Sequence, residues 1–143
     1  ESMNATMEKF GYPNTLIREY EYWSVQLRPE QVTLGSLVLC NNEPVTQFSQ
    51  VSTGAFTELQ YVISGIEAAL ANQFDYDKIN YLMLMMIDPD VHFHVIPRYA
   101  AGPSFKGITF EDAGWPGPPQ LATPTTTDEN TFAAILQTLR SAW

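Results

Sequence analysis

One stretch of the chain sets two hydrophobic periods side by side, and no single element can satisfy both. Phe56, Leu59, Ile63, Ile66 and Leu70 recur at spacings of three and four, the repeat of a helix with one apolar stripe. Ser52 or Thr53 can cap its start, and it should end near Gln73. The runs on either side read as strands. Glu21 to Leu27 sets Trp23, Val25 and Leu27 on one face, and Gly35 to Asn41 is rich in Leu and Val. The turn-like link Arg28 to Leu34 makes these two an antiparallel pair. Lys78 to Ile87 is a continuous apolar run, the pattern of a strand buried on both faces and central in a sheet. Asp88-Pro89 is turn chemistry. Asp90 to Val95 then alternates with period two, so Asp90, His92 and His94 share one face while Val91, Phe93 and Val95 share the other. The last two strands should form a hairpin in the middle of the sheet.

The ends are simpler. Ala5 to Phe10 predicts a short helix stopped by Gly11-Tyr12-Pro13. Residues 100–125 are rich in Pro and Gly, and Trp115-Pro116-Gly117-Pro118-Pro119 excludes both regular helix and central strand. Trp115 could close over a site, pack on a partner or lie in a surface loop. Thr126 with Glu129 forms a capping-box pattern, and Phe132, Ile135, Leu136 and Leu139 make the last helix, over 126–143, amphipathic. Antiparallel strands with segregated helices give the α+β class. With 143 residues, no repeat and no boundary signal, residues 1–143 read as one domain.

Charge and composition exclude some functions. The net charge is -9 with only seven Lys and Arg, so no nucleic-acid partner is expected, because neutralising many phosphates needs many cations. A small anionic ligand needs only a few local donors. Cys40 stands alone and cannot form an internal disulfide. It reads as a small buried hydrophobe. The longest apolar run, Leu82 to Ile87, falls far short of a membrane span. With no basic-then-apolar leader either, the expectation is a soluble cytoplasmic protein with no membrane partner. Glu1-Ser2 before Met3 carry no weight in this reading.

His92 and His94 are the chain's only histidines. On the residues alone their row supports three readings. Neutral imidazole is a good nucleophile near pH 7, and a second His on the same face can donate to developing charge or carry a proton. Alternatively Asp90, His92 and His94 could ligate a metal, since same-face residues on a strand lie only roughly 7 Å apart. The third reading is half-buried histidines filling a sheet face.

Val91-His92-Phe93-His94-Val95-Ile96-Pro97-Arg98 resembles the signature strand of the histidine triad (HIT) superfamily, written His-φ-His-φ-His-φ-φ with φ apolar and commonly followed by Pro-Arg. The order strand, strand, long helix, buried strand, turn, signature strand is similar to the family's core over about residues 20–99. Thr33-Leu34-Gly35-Ser36-Leu37-Val38-Leu39 resembles its second strand, and Asn80-Tyr81-Leu82-Met83-Leu84 its penultimate one. The resemblance implies a HIT-like antiparallel sheet of about five strands with helices packed against it, and a homodimer. It also implies a nucleotide hydrolase or nucleotidyl transferase acting at an α-phosphorus, with dinucleoside polyphosphates or nucleoside phosphoramidates as substrates. His92 matches the nucleophile that forms a nucleotidyl-histidine intermediate, and His94 matches the third histidine, which contacts phosphate. No cofactor and no metal is implied.

Four positions depart from the family's pattern. Asp90 stands at the first triad position, where it could orient His92 through a hydrogen bond. Ser36 stands where many relatives carry a further His. Arg28 falls where relatives use Asp or Asn to hold the ribose. Only Asp88-Pro89 replaces a longer phosphate-cradling loop. Phosphate must then be held by the histidines, backbone amides and a cation such as Arg98 or Arg28, with Ser36 and Asn80 as further substrate contacts. A shifted resemblance of this kind also fits a nucleotide-binding protein with little catalysis, or a metal-dependent enzyme using the Asp90, His92 and His94 row.

Overall fold

A computed structural model describes residues 3–143; Glu1 and Ser2 lie outside it. The elements in order are α1 (Ala5–Lys9), β1 (Leu16–Glu19), β2 (Trp23–Leu27), β3 (Leu37–Asn41), α2 (Thr53–Phe74), β4 (Lys78–Leu82), β5 (His92–Arg98), β6 (Ser104–Phe105), β7 (Ile108–Thr109) and α3 (Glu129–Ala142). Five strands form one antiparallel sheet in the order β1-β2-β3-β5-β4, and β6-β7 make a small separate ribbon. The class is α+β with a five-stranded sheet, as the sequence implied. Among the described residues no helix is long and apolar enough to cross a membrane.

Strand alternation divides the sheet into two unlike faces. Trp23, Val25 and Leu27 of β2, Leu37 and Leu39 of β3 and Val95 of β5 join Val62, Ile66 and Leu70 of α2 and Ile135 and Leu139 of α3 in the main core. Trp23 is fully buried, and its indole N–H donates to Ala55 O at 2.8 Å, so the largest core side chain leaves no polar atom unpaired. The other face carries His92 and His94 opposite Cys40 and Val38. There α1 packs Met7 and Phe10 onto Val38 and Cys40 as a second, smaller cluster. Gln26 anchors this arrangement, donating from Nε2 to Met7 O, Phe10 O and Thr15 Oγ1.

Several expectations need correction. Leu16–Glu19 forms an edge strand that the sequence did not announce, since only four residues pair and Ile17 alone is buried. The apolar run over 78–87 is neither central nor wholly strand. β4 stops at Leu82 and lies at the sheet edge, while Leu84, Met86 and Ile87 are exposed. β4 and β5 do pair as a hairpin, but its connection runs from Met83 to Val91 rather than through Asp88-Pro89 alone. Met85 breaks the run with a φ of 42°, a left-handed conformation no strand tolerates. The buried stripe of α2 is Ala55, Val62, Ile66, Ala69, Leu70 and Phe74, rotated from the predicted one so that Phe56 points outward. Ser52 caps this helix as expected, accepting from Ala55 N. In α3 the cap is Asp128, accepting from Thr131 N, rather than Thr126.

The turn into β3 explains one glycine. Gly35 has a φ of +86°, and a Cβ there would stand 3.0 Å from both Leu70 Cδ2 and Phe74 Cδ2. Its N–H donates to Gln31 Oε1 at 2.8 Å. Backbone conformation and the close approach of α2 therefore both require glycine.

Candidate active site

β5 starts at His92, so Asp90 precedes the strand and does not stand in the row with the histidines. Its carboxylate turns to α1 instead: Oδ2 accepts from Thr6 N at 3.2 Å and from Thr6 Oγ1 at 3.0 Å. Asp90 still meets His92, but through its main chain, with Nδ1 of His92 lying 2.7 Å from Asp90 O. The expected carboxylate-to-imidazole bond is replaced because Thr6 offers two donors to the carboxylate. A carbonyl oxygen can only accept, so Nδ1 carries the proton and the lone pair of the neutral ring sits on Nε2. The main chain thereby selects the tautomer.

The rings of His92 and His94 are 5.1 Å apart at 80°, and Phe10, the C-cap residue of α1, packs near both, at 6.2 and 5.8 Å. Both histidines are buried. Burial first, then the Arg28 guanidinium, pushes the His94 pKa down to about 4. His94 is therefore neutral at pH 7. Its Nδ1 is buried and has no partner.

The two rings line a pocket of about 430 Å³. Phe10, Pro29 and Leu121 form apolar walls, and Leu84 to Ile87 of the β4–β5 connection form another. The charged lining consists of Lys9, Arg28, Glu30 and Asp88. Arg28 is buried, with Nη1 donating to Glu30 O at 2.8 Å, while its Nε has no partner. Burial holds its pKa below the usual guanidinium value. A buried guanidinium with an unused donor beside two imidazoles is chemically suited to an anion.

Of the predicted site residues, His92, His94 and Arg28 come together here, with Asp90 behind them. Ser36 does not. Its hydroxyl donates to Thr33 O and accepts from Thr33 N, closing the turn before β3. Asn80 and Arg98 do not reach the histidines either. They line a second hollow of about 520 Å³ with Lys78 and Trp115–Pro118, farther along the same sheet face. There Arg98 is held by Asp112, Nε to Oδ2 at 2.7 Å and Nη2 to Oδ1 at 3.0 Å, and its Nη1 donates to Asn80 Oδ1. Trp115 thus lies away from the histidine pocket. Among the described residues no group of three His, Cys, Asp or Glu is placed to hold a metal ion. The Asp90 carboxylate of the predicted row is turned to Thr6 and away from the two imidazoles. Cys40 is a free, buried thiol whose pKa burial pushes up. It is no nucleophile.

Sequence reasoning missed Lys9, Phe10, Leu121 and the apolar wall from Leu84 to Ile87. The one available signal was length. An apolar run from Lys78 to Ile87 exceeds the ~5–6 residues of an ordinary strand, so part of it had to do something else.

No family model and no curated protein sequence matches the chain. Solved structures do. A histidine triad protein from Sinorhizobium meliloti superposes with a TM-score of 0.77 at 17% identity, over 99% of this chain and 96% of that one. A histidine triad protein from Bradyrhizobium japonicum gives 0.74 at 19% identity, over 99% and 96%. One from Marinobacter aquaeolei gives 0.72 at 20% identity, over 94% and 92%. The fold of this chain is the histidine triad fold.

Proposed function

We propose that this protein is a nucleotide hydrolase or nucleotidyl transferase that cleaves at the α-phosphorus of dinucleoside polyphosphates or nucleoside phosphoramidates. The carrying observation is the bond from His92 Nδ1 to Asp90 O. It fixes the tautomer that leaves Nε2 unprotonated on a residue lining the pocket. In this reading Nε2 attacks phosphorus, a P–N bond forms, and the bond to the leaving group breaks with its electron pair on the departing atom. Water then attacks the nucleotidyl-histidine, the P–N bond breaks, and the pair returns to Nε2. Imidazole both attacks and leaves well near neutrality, so one difficult displacement becomes two easier ones. His94, neutral and beside the nucleophile, donates to a phosphoryl oxygen and passes the proton. Arg28 offers charge to the same oxygens. The apolar walls from Phe10 and Leu84 to Ile87 suit the flat face of a base.

Binding without turnover is the second reading. Asp90 in place of a first histidine favours it, since it removes one imidazole from the phosphate's surroundings. Stoichiometric zinc would revive the metal reading; one structure of similar fold, from Mycobacterium smegmatis, is a zinc-bound histidine triad family protein.

One chromatographic assay decides among these. Wild type and His92→Ala are incubated with diadenosine tetraphosphate and with an adenosine phosphoramidate, each with and without a chelator. The expected result is AMP release by wild type in chelator, reduced roughly a thousandfold or more in the variant. No turnover of either compound leaves binding alone, and turnover lost only in chelator points to a metal.

A further inference from the structure

An acidic chain that takes an anionic guest must concentrate its few cations where the guest sits. The histidine pocket has two, Arg28 and Lys9. Arg28 is buried and already committed in part to Glu30. Lys9 is different. Its side chain is half exposed, and its ammonium stands 2.8 Å from Asp88 Oδ2 in the β4–β5 connection. Exposed pairs of this kind are weak and exchange readily. Lys9 also lies three residues beyond Thr6 on α1, so the two share a side of the helix. Thr6 clamps the Asp90 carboxylate, and the Asp90 carbonyl holds the nucleophile. The segment from Asp88 to Asp90 thus carries both the counter-ion of Lys9 and the support of His92.

We infer that Lys9 is the specificity-determining contact for the phosphates beyond the α-phosphorus, with Asp88 as the placeholder it releases when substrate enters. The inference rests on the α-phosphorus reading above and deepens it. When His92 Nε2 bonds to phosphorus, the bridging oxygen leaves with the electron pair as a terminal phosphate oxyanion. Lys9 meets that charge at the pocket rim, where the β4–β5 connection offers Asp88 and apolar side chains but no cation of its own. A phosphoramidate presents no such group, because its departing atom is an amine nitrogen that leaves with a proton.

The test compares full-length wild type, Lys9→Ala and Lys9→Arg on diadenosine tetraphosphate and on an adenosine phosphoramidate. With Lys9→Ala, kcat/KM for the tetraphosphate should fall about tenfold or more, while the phosphoramidate changes by less than about twofold. Lys9→Arg should recover most of the loss. Equal losses on both substrates, or none on either, overturn the inference. A second arm needs no turnover: calorimetric binding of ATP and AMP to His92→Ala, with and without Lys9→Ala. The preference for ATP should drop about tenfold when Lys9 is removed. If wild type turns over neither substrate, a lost ATP preference still supports Lys9 while the hydrolytic reading fails. An ATP preference retained without Lys9 overturns the role of Lys9 alone.

Discussion

Replacing Asp112 by Ala tests whether Arg98 serves the fold or the substrate. The pair is bidentate, at 2.7 and 3.0 Å, and the side chains are 5% and 1% exposed. Asp112 Oδ2 also accepts from Tyr99 N at 3.1 Å. Truncating Asp112 strands a guanidinium in the interior with only Asn80 Oδ1 left to it. Breaking a buried pair from one side costs about 3–5 kcal/mol. A domain of this kind has about 5–15 kcal/mol in total. With a urea slope of about 2 kcal/mol per molar, the midpoint should drop by about 1.5–2.5 M. Arg98→Met with Asp112→Leu removes both charges at similar volume and should recover most of the loss, falling short by about 1 kcal/mol for the unpaired Tyr99 N–H. The assay is urea unfolding of the full double-mutant cycle, followed by kcat/KM of the recovered double variant. A midpoint shift under about 0.5 M for Asp112→Ala would refute the structural account of the pair. A stable double variant with tenfold weaker substrate use would return Arg98 to the substrate.

Three other outcomes are expected. His94 has a folded pKa of about 4 against an ordinary 6.5, so the unfolded chain binds more protons between those values. Its contribution is complete above pH 6.5 and is lost as pH falls toward 4, on the order of 2 kcal/mol once screening in the open pocket is allowed for. His94→Gln should flatten the stability profile across that window in urea melts at stepped pH, and an unchanged profile would assign the pH dependence to other groups. Thr6→Val keeps the buried shape but removes the hydroxyl from Asp90 Oδ2, so unfolding should cost about 1.5–3 kcal/mol less and kcat should fall as His92 loses its fixed support. A variant that melts earlier but turns over normally would show that the latch holds the helix and not His92. Finally, β4 ends the sheet with its outer edge free of any strand among the described residues, and sedimentation velocity should find two copies of the chain; a species of one chain mass would remove the expected homodimer.

What could be read from the sequence was what local periodicity writes down. The long helix, the β2–β3 pair and the alternating histidine strand each repeat over several residues, so their signals accumulate. β1 could not, because four residues with one buried side chain leave no pattern. Lys78 to Ile87 misled for a different reason. Continuous apolarity says that residues avoid water, or a ligand's water, without saying which. Tyr81 turns into the core, while Leu84 to Ile87 line a pocket and its rim. The histidine pocket was half legible. His92 and His94 announced themselves as the whole histidine complement within three residues, and Arg28 came only from the resemblance to the histidine triad pattern. Lys9, Phe10 and Leu121 come from distant segments and meet the histidines only because α1 and the 100–125 segment fold over the sheet face. Asp90 was found but given the wrong atom. Sequence names side chains, and the bond that orients His92 comes from a main-chain carbonyl.

That last substitution changes how the site should be understood. If a first histidine served mainly to offer an imidazole to phosphate, Asp90 would damage the site by placing a negative charge near an anion. The structure gives the carboxylate other work. Thr6 donates to it twice, so its charge is spent on α1 and faces away from the pocket. The residue's contribution to His92 is its carbonyl, which any amino acid supplies at that position. The bond that orients His92 therefore comes from the main chain, and the side chain at position 90 acts on it only by anchoring that main chain to Thr6. The side chain is free to dock a helix, and that helix brings Phe10 against both imidazoles and Lys9 to the rim. On this logic Asp90→His should not raise activity. It would install the histidine of the signature that this strand resembles while releasing α1, and the loss of Lys9 and Phe10 from the pocket should outweigh the gain. Measured kcat/KM for Asp90→His on diadenosine tetraphosphate below that of wild type would bear this out, whereas a clear rise would show that the helix is dispensable and that Asp90 holds the site back.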